Sequence, residues 1–313
     1  EKRKKRLVTY MVGGGILLVL LMIFAGPLQR MYLFHKLKSG NEYDISSAID
    51  SLLAWKETVR PGLVSVVKNE SGDWPDASRA GAACGLVRLH LPSADAALVE
   101  LAGAGGKDPD EDQKKIRRWV LAALVTIQAN HPDKDVIDPE RFPPRIFIQN
   151  TGSLDPQLRL WATKGLGYFK GEDAVEALLA MLRDPDDSVR SAATTAFTQA
   201  AEPSDTIKLI DFLNSDKQER RDVAHAIFKH FDNPTTIAVL GRALENASDE
   251  VILTILGIYK GFNAYGGMSE PVEQLIAHPS MRVRIKALEV AGYKRLDGTE
   301  AAMTVGDGAE DVK

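Results

Sequence analysis

Apolar residues recur along much of the chain at the spacing of one helix face, and the pattern repeats about every 31 residues. The repeated segments open with two-residue pairs, most of them an apolar residue followed by arginine, which begin at residues 158, 189, 220, 251 and 283. Mostly apolar residues stand four and eight positions after the start of each pair. The residues four positions after it are Ala162, Ala193, Ala224, Ile255 and Ala287. Positions four apart lie on one face of an α-helix. The pattern therefore predicts a series of helices that each bury one face.

Short polar turns separate these helices. Three of the turns contain proline: Asp155-Pro156, Asp184-Pro185 and His278-Pro279-Ser280. Proline cannot continue a helix, and a polar side chain beside it can cap the next one. A further helical pattern precedes each turn, most clearly at residues 174–182. Each repeat is predicted as helix, tight turn, helix, and weaker copies at residues 78–86 and 116–124 bring the series to about seven units.

These residues resemble HEAT repeats, in particular the short HEAT-like type first described in phycobilisome lyases. The best copy, LLAMLRDPDDSVRSAATTAF, runs from Leu178 to Phe197, and the resemblance covers residues 75–296. It implies an all-α fold, a right-handed α-solenoid of HEAT-like helix pairs. It also implies that the repeated Asp and Arg form a structural ladder between neighbouring repeats, namely Arg159, Asp184, Arg190, Arg221 and Arg284. Ile252 lacks the arginine of this series and interrupts the ladder.

An uncharged segment near the N-terminus predicts a transmembrane helix before the solenoid. Residues 7–26 read LVTYMVGGGILLVLLMIFAG, long enough to span a bilayer core of roughly 30 Å. A cleaved signal peptide is the alternative, but the apolar core is longer than such peptides usually have. More basic residues precede the segment than follow it, which predicts a cytoplasmic N-terminus and a periplasmic solenoid. Gly13, Gly14 and Gly15 are candidate contacts for a partner membrane helix.

The predicted organisation has five parts along the chain. They are a basic cytoplasmic flank at 1–6, the transmembrane helix at 7–26, a juxtamembrane connector at 27–74, the solenoid at 75–296 and a flexible acidic tail at 297–313. Within the solenoid, residues 130–153 contain four prolines and show no helical period. A loop of this length is typical of a contact site or a bend between the irregular upstream repeats and the regular downstream ones.

Charge and motif content argue against several classes of function. The formal net charge is -4, although the first six residues carry five positive charges and one negative charge, so the remainder of the chain is acidic. Nucleic acid is not expected as a partner, because phosphate binding needs a clustered positive surface. The six histidines are scattered, Cys84 stands alone among small apolar residues, and no recognisable catalytic or metal-binding motif occurs. The sequence therefore predicts no enzyme, no cofactor and no metal.

Binding of other proteins is the predicted function: a membrane-anchored scaffold, or accessory subunit, that organises the partners of a membrane protein complex. The expected partners are integral membrane proteins, with residues 7–26 in the lipid bilayer. Outward positions on the second helix of each pair are the candidate interface, namely Thr194, Thr195, Asp222, His225, Lys229 and Lys286. Two alternatives stay open: an enzyme or assembly chaperone of the pigment-lyase HEAT type, and a stand-alone protein that recruits a soluble partner.

Overall fold

The computed structural model describes residues 25–103, 109–244, 247–262 and 269–294, and these residues are helical or lie in turns and loops. The chain divides into two compact units, residues 1–161 and 162–313. The helices of the first unit are α1 (residues 25–37), α2 (Glu42–Leu53), α3 (Arg60–Lys68), α4 (Asp76–Leu89), α5 (Pro92–Gly103), α6 (Glu111–Asn130) and α7 (Arg145–Ile148). α8 (Pro156–Leu166) crosses the boundary between the units.

The second unit contains four successive helix pairs. Its helices are α9 (Glu172–Met181), α10 (Asp187–Ala200), α11 (Ile210–Leu213), α12 (Gln218–Phe228), α13 (Pro234–Leu244), α14 (Asp249–Gly261), α15 (Ser269–Ile276) and α16 (Met281–Lys294). A 3₁₀ helix, Pro203–Leu209, leads into α11. α9 packs on α10, α11 on α12, α13 on α14 and α15 on α16, and the second helices α10, α12, α14 and α16 contact one another in that order. The all-helical repeat fold predicted from the sequence is confirmed; its right-handedness stays a prediction.

The predicted apolar positions form the core of these pairs. In α10, Val189, Ala193 and Phe197 are buried, and Phe228 in α12 and Tyr259 in α14 are fully buried at the position equivalent to Phe197. Full burial of one large apolar side chain contributes about 1.5–3 kcal/mol, so the aromatic ring in each of these three repeats is a substantial part of its stability. The periodicity of the sequence therefore identified the core correctly.

Helix α4 is the centre of the first unit, where it contacts α2, α3, α5 and α6. Gly81 allows α2 to lie close against it, because a Cβ at this position would stand only 2.4 Å from Cγ2 of Ile45. Leu37, at the end of α1, is fully buried, and its carbonyl accepts a hydrogen bond from the Ser78 hydroxyl at 2.5 Å. The stretch 27–74, predicted as a connector, thus consists of helices packed on the first repeats.

The proline-containing stretch 130–153 also belongs to the packed structure. Val136, Phe142 and Phe147 are buried, and α7 lies within the stretch. The side-chain amide of Gln128 donates to the carbonyl of Lys134 and accepts from the backbone N–H of Ile137, each at 2.8 Å. The absence of a helical period in this stretch therefore reflects a segment with only one short helix that is nonetheless folded against its unit.

The membrane prediction needs correction. Within the described ranges, no helix combines the length and the apolar character needed to cross a bilayer. α6 has 20 residues but six of them are charged, and residues 25–37 include Arg30 and Lys36. This contradicts the predicted localisation, a single-pass membrane protein with a cytoplasmic N-terminus and a periplasmic solenoid, which is withdrawn. Residues 7–24 of the predicted span, with Gly13, Gly14 and Gly15, lie outside the described residues, as do the predicted basic flank 1–6 and the tail 297–313.

Candidate functional site

The outer surface of α10, α12, α14 and α16, here called the second-helix face, carries all six residues predicted as an interface. Three of them are exposed: Thr195, Asp222 and Lys229. The other three are half-buried: Thr194, His225 and Lys286. Because the four helices contact one another in order, these side chains belong to one continuous surface of the second unit.

The α10 part of this face has little spare hydrogen-bonding capacity. The hydroxyl of Thr194 donates to the Arg190 carbonyl at 3.0 Å, and that of Thr195 donates to the Ser191 carbonyl at 3.3 Å. A helical threonine that bonds to its own backbone has used its only donor hydrogen. These two threonines can therefore offer a partner acceptor oxygens and methyl groups, but no free donor.

Two glycines of α14 make the centre of the face unusual. A Cβ on Gly257 would stand 3.5 Å from Nε2 of His225, and one on Gly261 would stand 3.2 Å from Cε of Lys229. Gly257 and Gly261 are one turn apart, so side chains from α12 reach across α14 where it has none of its own. These side chains occupy the space that the glycines leave, while Gly261 remains exposed and Gly257 half-exposed.

The protonation state of His225 follows from this position. Burial lowers its pKa first, and the nearby charge of Lys229 lowers it further, while hydrogen bonding with the Gly257 backbone and the charge of Asp222 act in the opposite direction. A histidine with a pKa below its ordinary value is neutral at pH 7. The side chain therefore presents a neutral ring beside the positive charge of Lys229.

Ion pairs join α14 to α16 along the same face. Glu289 accepts hydrogen bonds from both Lys260 and Lys286, the latter at 2.8 Å. These two ammonium groups, Lys260 first, lower the pKa of Glu289 to about 2. Towards the start of both helices, Arg282 pairs with Glu250 at 3.0 Å. Lys286, a predicted interface residue, thus already has a partner on its own helix.

The repeated arginines have a clear local role. Arg190 donates to the carbonyls of Asp184 and Pro185 at 2.7 and 3.0 Å, and Arg284 donates to those of His278 and Pro279 at 3.0 and 2.9 Å. Arg159 and Arg221 bond in the same way to carbonyls five or six residues before them. Each arginine therefore fastens the turn that precedes its own helix, and their predicted ladder between neighbouring repeats stays a prediction.

Bonds between neighbouring repeats are made by other residues, which the sequence did not single out. Arg79 of α4 donates to both carboxylate oxygens of Asp112 in α6, at 2.6 and 2.8 Å, and Lys115 of α6 pairs with Asp76 of α4 at 2.9 Å. Arg118 continues the series to Asp155 at 3.3 Å. Most of these residues lie at or near the start of α4, α6 and α8, whereas Arg118 is the eighth residue of α6.

A cavity of about 550 Å³ in the first unit is the place where chemistry would be sought. His90, Asp95, Glu140 and Arg141 line it. Arg141 donates to both oxygens of Asp95, each at 2.9 Å, and burial, followed by the charge of Arg141, lowers the pKa of His90. None of its described lining residues is a serine, threonine, cysteine or lysine. The cavity therefore holds a paired carboxylate and a neutral histidine without a nucleophile beside them.

Two further observations bear on catalysis. Among the residues that the structure describes, no group of three or more His, Cys, Asp or Glu side chains is placed to hold a metal ion. Cys84 is half-buried, and burial raises the pKa of its thiol. A raised pKa keeps the thiol protonated at neutral pH, which is the inert form.

Residues 145–228 match the family model for HEAT repeats. The match spans α7 to α12. A comparison with curated proteins finds no match.

Solved structures similar to this chain include two repeat proteins and one hydroxylase. An archaeal HEAT-like repeats protein from Thermococcus onnurineus NA1 is 16% identical over 78% of this chain and 98% of its own, with a TM-score of 0.41. A designed armadillo repeat protein in complex with a (KR)4 peptide is 14% identical over 84% and 98%, with a TM-score of 0.33. Human deoxyhypusine hydroxylase in complex with glycerol is 13% identical over 87% and 99%, with a TM-score of 0.32. At TM-scores below 0.5, none of these likenesses carries an argument about function.

Proposed function

We propose that this protein is a non-catalytic scaffold that binds protein partners through its second-helix face. The observation that carries the proposal is the arrangement at the centre of this face, where the His225 and Lys229 side chains of one repeat lie over Gly257 and Gly261 of the next. This arrangement offers a partner chain a neutral ring, a positive charge and exposed glycine backbone on one surface.

The proposed partners are proteins, and no narrower class of protein is named. The predicted role in a membrane complex rested on the apolar segment 7–26, which the described residues do not support. Repeat proteins commonly bind partners along one row of helices, and HEAT repeats are the family to which residues 145–228 are similar. The proposal therefore covers binding through the second unit and leaves the catalytic alternative without a supporting site.

Capture of a partner by the full chain tests the proposal. The chain is immobilised, incubated with an extract prepared in mild detergent, and the retained proteins are quantified by mass spectrometry for wild type, Lys229→Glu and Arg242→Glu. Arg242 is an exposed arginine of the first helix α13, so its variant changes the net charge equally.

We expect the wild-type chain to retain one or more proteins at a constant molar ratio. Lys229→Glu should lose these proteins, and Arg242→Glu should retain them. Recovery of the chain alone, or equal capture by both variants and wild type, would contradict binding through this face.

A further inference from the structure

A second feature of the same unit is a positively charged cavity between two neighbouring repeats. It measures about 210 Å³ and lies between the turn before α10 and the first turn of α12. Its charged lining residues are four cations and two acids: Arg183, Arg190, Lys217, Arg220, Asp184 and Glu219. A net positive cavity is a local exception in a chain whose formal net charge is -4.

Two of the four cations are already engaged. Arg190 donates to the carbonyls of Asp184 and Pro185 and also pairs with Asp187. The guanidinium of Arg183 lies 4.6 Å from the ring centre of Phe212, a stacking contact that holds it in place. These two side chains are therefore fixed parts of the cavity wall.

The other two cationic side chains, Lys217 and Arg220, are unpaired within the part of the chain that the structure describes. Over the described ranges, neither the Lys217 ammonium nor the Arg220 guanidinium takes part in an ion pair or hydrogen bond. Arg220 is nonetheless half-buried, whereas Lys217 is exposed. The Arg220 guanidinium is therefore available for charge-assisted hydrogen bonds to a group from outside the chain, which are among the stronger ones in proteins.

The repeat pattern is also broken at this cavity. Asp186 caps α10 by accepting from the backbone N–H groups of Ser188 and Val189, and Ser248 caps α14 from the equivalent position. Lys217 occupies that position before α12, where no side-chain cap is formed. A lysine has no acceptor atom. The first turn of α12 thus adds unbonded N–H groups to the positive charge that already surrounds the cavity.

We propose that the cavity binds a side-chain carboxylate from an acidic segment of the protein partner. The proposal rests on the proposed function, and it names the chemistry of the partner. Arg220 can bond both oxygens of a carboxylate, with Lys217 as a second charge. The cavity adjoins the second-helix face, because Arg190 precedes Thr194 by one turn on α10 and the lining residue Val223 follows Asp222 on α12. An extended acidic segment crossing α10 and α12 would therefore place one carboxylate in it.

A peptide-binding measurement tests this assignment. The probe is a fluorescein-labelled hexaglutamate, with hexaglutamine of the same length as the uncharged control, and binding to the full chain is followed by fluorescence anisotropy at low and moderate salt. Arg220→Gln removes the unpaired guanidinium, and Arg242→Gln on α13 is its matched control. Lys217→Ser is a second variant, which replaces the unpaired ammonium by a capping residue and so leaves the fold intact.

We expect hexaglutamate to bind and hexaglutamine not to bind at the same concentration. The affinity should fall about tenfold in Arg220→Gln, the loss of one charge-assisted contact, and less than about twofold in Arg242→Gln. In Lys217→Ser the affinity should fall while the melting temperature rises. Equal loss in both arginine variants, or binding that does not distinguish the two peptides, would overturn the proposal.

Inorganic phosphate, added at matched ionic strength, separates a peptide carboxylate from a small anion. If phosphate binds at the cavity while hexaglutamate does not, the acidic-segment assignment is wrong.

Partner capture separates this proposal from the proposed function. If Arg220→Gln captures the partner as well as wild type while Lys229→Glu does not, the scaffold stands and the cavity proposal fails. If both variants lose the partner and Arg242→Gln keeps it, both proposals are supported.

Discussion

Asp112→Asn is a direct test of how neighbouring repeats of the first unit are joined. Arg79 is 3% exposed, donates to both oxygens of Asp112 and to the carbonyl of Val67, and lies 4.8 Å from the ring centre of Trp119. The side chain therefore connects α3, α4 and α6. An asparagine keeps the size of Asp112 and one acceptor oxygen, so the substitution removes one charge-assisted bond and the charge itself.

The expected cost follows from these contacts. Hydrogen bonds to charged groups contribute about 1.5–3 kcal/mol, and the lower end applies because the Asp112 side chain is half-exposed. We expect a loss of about 1.5 kcal/mol in the free energy of unfolding, or roughly 3–6 °C in melting temperature. All four tryptophans lie in the first unit, Trp161 at its boundary, so their fluorescence during urea unfolding follows mainly this unit.

The dependence on pH gives the result an independent check. The hydrogen bond from Arg79 lowers the pKa of Asp112 below its ordinary value. A carboxylate with a lowered folded-state pKa stabilises the protein above its unfolded pKa, about 3.9, and this contribution is lost as the pH falls through the folded value. The difference between wild type and Asp112→Asn should be full at pH 7 and shrink below about pH 4. An equal loss in Asp133→Asn, an exposed aspartate of the same unit, would refute the reasoning, as would a difference that does not change with pH.

Three further predictions concern single side chains, each measured by urea unfolding followed by circular dichroism. Gly81→Ala should lower the free energy of unfolding by about 1–3 kcal/mol, because the new Cβ would clash with Ile45. The control, Gly241→Ala, has no atom within 4 Å of the new Cβ and should raise it by up to about 1 kcal/mol. Equal effects of the two substitutions would contradict the close approach of α2. Lys217→Ser should gain about 1 kcal/mol by capping α12, and a loss would show that the lysine already stabilises the helix. Tyr259→Phe should be neutral or slightly stabilising, because the buried hydroxyl has no partner and burial raises its pKa; a clear loss would reveal a bound water.

The local features of the fold could be predicted from the sequence because their causes are local. Val189, Ala193 and Phe197 share a helix face, and that period identifies the core without knowledge of the neighbouring repeat. The turn at Asp184-Pro185 is equally readable, since proline ends one helix and the following polar residues cap the next. Even the arginine of the repeat acts locally, on carbonyls five and six residues earlier.

Contacts between distant parts of the chain were missed for the opposite reason. The Ser78 hydroxyl that fixes the end of α1 bonds a residue 41 positions away, and the Arg141–Asp95 pair spans 46 positions. No periodic pattern records such pairs. The stretch 27–74 was consequently interpreted as a connector, although it packs on α4, and the stretch 130–153 as an open loop, although it contributes buried aromatic rings.

The sequence indicates where the outward side chains of the second helices lie, but it does not indicate how those side chains bond to one another. Outward positions of the second helices follow from the same period as the core, and the six candidates are taken from them; that they bind a partner stays a prediction. The close approach of His225 and Lys229 to α14 does not follow from the apolar period, because it depends on two glycines of the neighbouring repeat. Their spacing of four, in Gly257 and Gly261, was the available signal.

Departures from the repeat pattern are therefore the better guide to function in this chain. A position that repeats, such as Arg190 or Arg284, is occupied by a bond within its own turn and has little left for a partner. A position that departs from the pattern has lost that structural role at some cost in stability, as Lys217 has by giving up a helix cap. Such a cost is retained only where something else compensates for it. The unpaired charges of Lys217 and Arg220 are where we propose that a partner carboxylate binds, and such binding would offset the missing cap.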